Sequence, residues 1–331
     1  MSDNQDEPKR GDSEVDAKVG DSQMDSKGGY DQADAAGYPE DRSSQRKPTS
    51  QDLKTHVSVI TEIADIRDEE FNSQTYKSCE NVGKAVIVSN FMDGYTPKNN
   101  RELATRVYAK GDCEKLEGAL KRIGFQPLDK DQDSMVYKNL TKSQFVALYS
   151  KAAKETNYRP KGGEGYTCVL FFVMSYGRSG LIRCHAEPGE KGEHPFVEQK
   201  HLQEAFQPQN NHSLALKPKL FIIQTIPEAT SEADAAGGIE VTTTKRIPRE
   251  ADFLTYACDQ YCIKGKDENI FINSVVHVLN NLAKEKEERK PALEIQKVLI
   301  RMNKEYKDNR SYRTWKLPCV TSSLTKQLIL F

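Results

Sequence analysis

KPKLFIIQTIPE, residues 217–228, is the stretch on which the reading of this chain turns. Its centre, LFII (220–223), is a continuous apolar run of the kind a strand shows when both faces of its sheet are covered. The run closes on Gln224, Thr225 and Ile226, and Pro227 follows. The strand is read as KPKLFIIQ (217–224), and Pro227 beyond it pushes Ile226 toward an extended conformation. Outward along the chain, GKAVIVSN (83–90), YTCVLFFVMS (166–175) and ADFLTYA (251–257) have the same texture.

Helical patterns lie between these runs. Asp112 reads as an N-cap, with Leu116, Ala119, Leu120 and Ile123 on one face and Gly124 just past the end. Thr141 and Gln144 form a capping-box pair ahead of Phe145 and Leu148. Val275, Val276, Leu279 and Leu282 suit a third helix, and Ile295, Val298, Leu299, Met302 and Tyr306 a fourth, in steps of three and four. Buried strands alternating with helices imply an α/β domain with a largely parallel sheet covered on both faces.

The bulk properties exclude several classes. With 331 residues and a net charge of −1, the chain has no long-range attraction to nucleic acid or anionic membrane. No apolar run approaches the roughly 20 residues that a membrane span needs. The start, MSDNQDEPKR, lacks the apolar core of a secretory signal. Seven scattered cysteines are expected as buried free thiols in a reducing cytoplasm. Cys258 and Cys262 have no second pair to complete a zinc site, so neither metal nor other cofactor is expected. Residues 1–50 contain no Ile, Leu, Phe, Trp or Cys. Such a segment cannot bury enough apolar surface to offset chain entropy, and residues 1–75 are expected to form a disordered acidic tail with no folded recruitment module.

Four motifs in order, VMSYGRSG (173–180), KPKLFIIQ, ADFL and PCVTSSLTKQL (318–328), resemble the caspase family of cysteine peptidases from about residue 76 onward. The family pattern is Q-A-C-[RQG]-G with a histidine about 50 residues upstream. The resemblance places Tyr176 at the histidine and Ile226 at the cysteine, fifty residues apart. Isoleucine has no nucleophilic atom, and tyrosine, with a reference pKa near 10, is a poor base at neutral pH. The resemblance therefore implies a caspase-like fold, with a central, mostly parallel six-stranded sheet and helices on both faces, but no peptidase. It divides the chain into a large-subunit-like part (76–226), a flexible linker (227–246) and a small-subunit-like part (247–331).

The same resemblance assigns the remaining positions. Arg106, Gln224 and Lys264 fall at the three residues that hold the substrate aspartate and adjacent backbone, and Gly177 at an oxyanion donor. Lysine at 264 cannot make the bidentate contact of arginine. Thr225, with no base beside it, and Cys184, beside His185 in what reads as a solvated insertion, are poor replacement nucleophiles. Leu324, Leu328 and Leu330, at period two, are read as one face of a terminal strand that pairs across a dimer axis. Ser13-Glu14-Val15-Asp16 and Ser231-Glu232-Ala233-Asp234 look like caspase cleavage sites after Asp16 and Asp234. The expected partner is an active caspase or a second copy of the chain, with no nucleic acid and no membrane. The expected role is regulation or decoy of active caspases in apoptosis-type signalling. The alternatives are an aspartyl-peptide binding module that does not cut, or a residual cysteine-type endopeptidase.

Overall fold

The computed structural model describes residues 68–79, 81–92, 106, 108–129, 131–154, 165–178, 180–187, 194–226, 251–259, 263–264, 268–309 and 317–330. Asp16, Asp234, the linker and most of the tail lie outside these residues.

The elements follow one another as α1 (Asp68–Asn72), β1 (Asn81–Ser89), α2 (Ala109–Ile123), β2 (Phe125–Pro127), β3 (Val136–Lys138), α3 (Lys142–Lys154), β4 (Tyr166–Arg178), β5 (Leu181–Arg183), β6 (Phe196–Glu198), α4 (Gln199–Glu204), β7 (Lys219–Ile226), β8 (Phe253–Cys258), β9 (Ile263–Lys264), β10 (Glu268–Asn269), α5 (Ile270–Glu287), α6 (Ile295–Asn309) and β11 (Cys319–Ser322). The main sheet runs β11-β8-β7-β4-β1-β2, six strands across. Every neighbouring pair is parallel except β11 with β8. β3 pairs in parallel with the carboxyl end of β1, and β5 and β6 form an antiparallel flap at the end of β4.

Alternation along the strands builds two cores. Ile87, Leu170, Phe172, Leu220, Ile222 and Tyr256 pack against α2, α5 and α6. Val86, Val88, Val169, Phe171, Val173 and Ile223 face the other way, toward α3 and α4. The capping-box pair and the closing glycine read from the sequence hold. The Gln144 Oε1 accepts from the Thr141 N–H at 3.0 Å, and Thr141 Oγ1 accepts from the Gln144 N–H at 3.3 Å. Gly124 ends α2 with φ +105°, where a side chain would be strained.

Three expectations need correction. Helix α2 starts three residues before Asp112, with Tyr108 at its cap position, so Asp112 is no N-cap: it sits in the first turn and is buried. Residues 68–79 are tied to the far end of the chain. Lys326 Nζ donates to the carbonyls of Glu70, Phe71 and Ser73, tying α1 to the C-terminal segment, and Thr75 bridges to Gln327. The terminal strand is only Cys319–Ser322. Beyond it the chain bends back. Leu328 and Leu330 are buried in the core beside α6, with the Ile295 N–H donating to the Leu328 carbonyl, and Leu324 packs against the same core. Period-two apolar spacing here reflects packing inward and not a strand face. Finally, Cys319 is exposed and Cys79 half-buried, whereas Cys113, Cys168, Cys184 and Cys258 are buried free thiols.

Candidate functional site at the carboxyl edge of the sheet

In open α/β sheets ligands bind beyond the carboxyl ends of the strands, where the strand order reverses. Here that place is the junction of β1 with β4, continuing onto β7. Tyr176 and Ile226 are direct partners across the parallel β4–β7 ladder. Ile226 is buried, and Tyr176 is half-buried with its ring edge-on to Phe91 at 5.2 Å. Phe91 is itself fully buried, with φ +58°, and stacks on His185 at 4.5 Å. A phenol ring and a branched aliphatic side chain thus occupy the positions that the resemblance gives to a catalytic pair, with Phe91 packed against the first.

Two residues back along the same strands lies a polar layer, built around Met174 and its ladder partner Gln224. Arg106 is buried. Its Nη1 donates to Ser89 Oγ at 3.2 Å, the Asn90 carbonyl at 2.9 Å and the Met174 carbonyl at 3.0 Å, bridging β1 and β4. Gln224 is fully buried and exchanges two hydrogen bonds with Asn269. Its Nε2 donates to Asn269 Oδ1 at 3.1 Å, and Asn269 Nδ2 donates back to Gln224 Oε1 at 2.8 Å. Asn269 Nδ2 also donates to Asp112 Oδ2 at 3.1 Å. Burial raises the Asp112 carboxyl pKa above its ordinary value, while the Asn269 bond and the Arg106 charge pull it down. Lys264 is paired through its backbone with Glu268, one residue before Asn269. The edge therefore gathers Arg106, Gln224, Tyr176, Gly177 and Ile226, and brings the backbone of Lys264 to the strand that carries Asn269.

Gly177 has a steric reason to be glycine. A Cβ there would lie 2.2 Å from the Leu181 carbonyl oxygen, because the β4–β5 hairpin closes tightly over it. Thr225 does have a carboxylate beside it, contrary to the sequence reading. Its hydroxyl donates to Asp259 Oδ1 at 2.6 Å. Strand alternation nevertheless turns Thr225 to the face opposite Gln224 and Ile226, and it is buried. The Cys184–His185 segment is not a solvated insertion either. It bridges to Thr141, and the His185 N–H donates to the Leu140 carbonyl at 2.9 Å. Cys184 is fully buried in the α3 core, and burial pushes its thiol up to about 12. His185 Nε2 accepts the Phe91 N–H at 3.2 Å, and burial holds its pKa down at about 4. Phe91, Asp259 and Asn269 carried no local signal of these roles, since the site partners of each lie more than thirty residues away in the chain. Among the described residues no cluster of His, Cys, Asp and Glu could hold a metal ion, and no helix is long and apolar enough to cross a membrane.

The fold is one seen in solved caspases. It superposes on pro-Sf-caspase-1 with a TM-score of 0.57 at 20% identity, covering 78% of this chain and 94% of that one. Caspase-1 from Spodoptera frugiperda gives 0.55 at 21% identity, with the same coverage. Residues 82–329 match the caspase domain of the C14 peptidases, and the chain belongs to that family. It is 27% identical to caspase-3 of Mesocricetus auratus over 270 residues, 76% of this chain and 84% of that relative. It is likewise 27% identical to caspase-7 of Gallus gallus over 268 residues, 75% of this chain and 76% of that relative.

Proposed function

We propose that this caspase-family chain does not cut peptides and instead regulates or decoys active caspases by associating with them through its retained fold. The observation that carries the reading is the ladder pairing of Tyr176 with Ile226. The two residues at the positions of base and nucleophile face each other where the family resemblance requires a catalytic pair, and neither can supply a thiolate or an imidazole. Losing one member of such a pair costs on the order of 10⁴ to 10⁶ in rate. The neighbouring groups offer no replacement. Thr225 is turned to the opposite face, and the Cys184 thiol stays protonated at neutral pH.

Association is supported by β11, an exposed outer strand that pairs with β8 on one side only among the described strands. Such an edge offers backbone donors and acceptors to a second strand. Two measurements test the proposal. Co-expression with an active effector caspase should recover a complex that is lost when Val320, whose N–H the ladder alternation turns away from β8, is replaced by proline. A purified chain that hydrolyses aspartyl peptides, or a complex indifferent to that proline, would overturn it.

The alternative of a peptide-binding module is opposed by the paired hydrogen bonds between the Gln224 and Asn269 carboxamides. The pocket residue is already engaged by the chain itself.

A further inference from the structure

The Gln224–Asn269 pair is more than a helix cap. Asn269 is the residue before α5, and its Oδ1 accepts from the Ile272 N–H at 3.5 Å, a long capping bond. Its shorter bonds run to Gln224 and Asp112, from the end of β7 and the first turn of α2. All three side chains are at most 3% exposed. A capping role alone needs only an oxygen, which serine supplies as well. What the amide adds is a donor for Asp112 and a planar two-point match to Gln224. A carboxamide has the shape of a carboxylate. The Asn269 oxygen accepts from Gln224 Nε2 as an aspartate oxygen would.

We infer that Asn269 is a built-in occupant of the polar pocket, an internal side chain held by Gln224 and Asp112 that keeps short acidic side chains out. The inference rests on the reading of Arg106 and Gln224 as pocket remnants and does not depend on whether the chain associates with caspases. The backbone pairing of Glu268 with Lys264 and of Asn269 with Ile263 places this plug on the strand beside the one that carries Lys264.

The test uses the full chain and a fluorophore-labelled Ser-Glu-Val-Asp peptide amide, the sequence of residues 13–16. Binding is read by fluorescence anisotropy for the wild type, Asn269→Ser, Asn269→Gly, and Asn269→Ser combined with Gln224→Ala. Serine and glycine both cap helices acceptably, so helix α5 is kept while the plug is withdrawn. The expected result is at least tenfold tighter binding in both single variants and loss of that gain in the double variant. Equal binding by wild type and both single variants would overturn the inference, whether all bind or none does. A gain that survives Gln224→Ala would overturn it too, because the vacated site would then not be this pocket. None of these outcomes touches the claim that the chain does not cut peptides, which turnover tests separately.

Discussion

At its amino end β7 begins with Lys219, fully buried, its ammonium 4.0 Å from Asp252 Oδ2 and 3.3 Å from the Leu214 carbonyl. At its carboxyl end the same strand finishes with Gln224, Thr225 and Ile226. Both ends carry buried polar groups, and at both ends the partners come from the chain itself. At the amino end Asp252 also accepts the Tyr76 hydroxyl at 2.6 Å and the Thr325 hydroxyl at 2.5 Å, which fastens both flanks of the domain to the start of β8. Burial lowers the Lys219 pKa to about 8 against the pull of Asp252. Internal satisfaction suits that end, which serves stability. At the carboxyl end, where sheets of this kind bind ligands, the same self-sufficiency is the departure. Asn269 engages Gln224, Asp259 engages Thr225, and Phe91 covers Tyr176. The polar layer is bonded within the chain, and among the described residues the layer above it presents Tyr176 and Ile226.

The contrast can be broken most forcefully from the activity side. Tyr176→His with Ile226→Cys restores the two side chains and leaves Asn269, Lys264 and Pro227 in place. Turnover of a fluorogenic aspartyl peptide should remain at least about 10³-fold below that of an active effector caspase, given how steeply such sites depend on complete geometry. Rates within tenfold of the active enzyme would show that only the two side chains separate this site from a working one.

At the amino end, Asp252→Ala removes the acceptor of two hydroxyls and the counter-charge of a buried lysine. Urea denaturation should show a loss of about 3–5 kcal/mol, with part recovered by adding Lys219→Met. A loss under 1 kcal/mol would mean that this end does not carry the stability assigned to it.

His185 offers a pH test of the Phe91 cluster. Its folded pKa of about 4 lies below the ordinary value of 6.5, so the unfolded chain takes up a proton first as pH falls. Its contribution is present above pH 6.5 and is lost progressively between 6.5 and 4, by up to about 3 kcal/mol. Asp112, with a raised pKa, contributes a slope of opposite sign. The quantity to read is therefore the difference between wild type and His185→Gln, which should have the shallower decline. Parallel curves would contradict burial of His185.

The smallest effect concerns the far face. Thr225→Val keeps the shape and removes the hydroxyl that donates to Asp259. It should cost about 1–2 kcal/mol in stability and change no catalytic readout.

Much of the fold was legible because its signals are local. TCVLFFVMS is apolar at every position but its polar ends, and both sheet faces need such residues. Thr141 and Gln144 satisfy each other across a single turn. The errors fell where distant segments decide the outcome. Asp112 resembled a cap until Asn269, more than 150 residues away, supplied its partner. Leu324, Leu328 and Leu330 matched a strand pattern, but the core beside α6 claims the last two. RCHAEPGEKGEH looked solvated because its charges dominate the string, yet Cys184 and His185 are the residues that turn inward. At the site, the resemblance brought Tyr176, Ile226, Gln224 and Arg106 to one edge. It gave no hint of the Asn269 cross-link, since a reciprocal amide pair leaves no periodicity in the sequence.

The central claim, that a caspase fold here has lost its chemistry, is tested most directly by incubating the purified full chain with a fluorogenic aspartyl peptide at neutral pH under reducing conditions. The account predicts no turnover above buffer, for wild type and for Thr225→Val and Cys184→Ala alike. Turnover by the wild-type chain that either substitution abolishes would contradict it and identify the nucleophile.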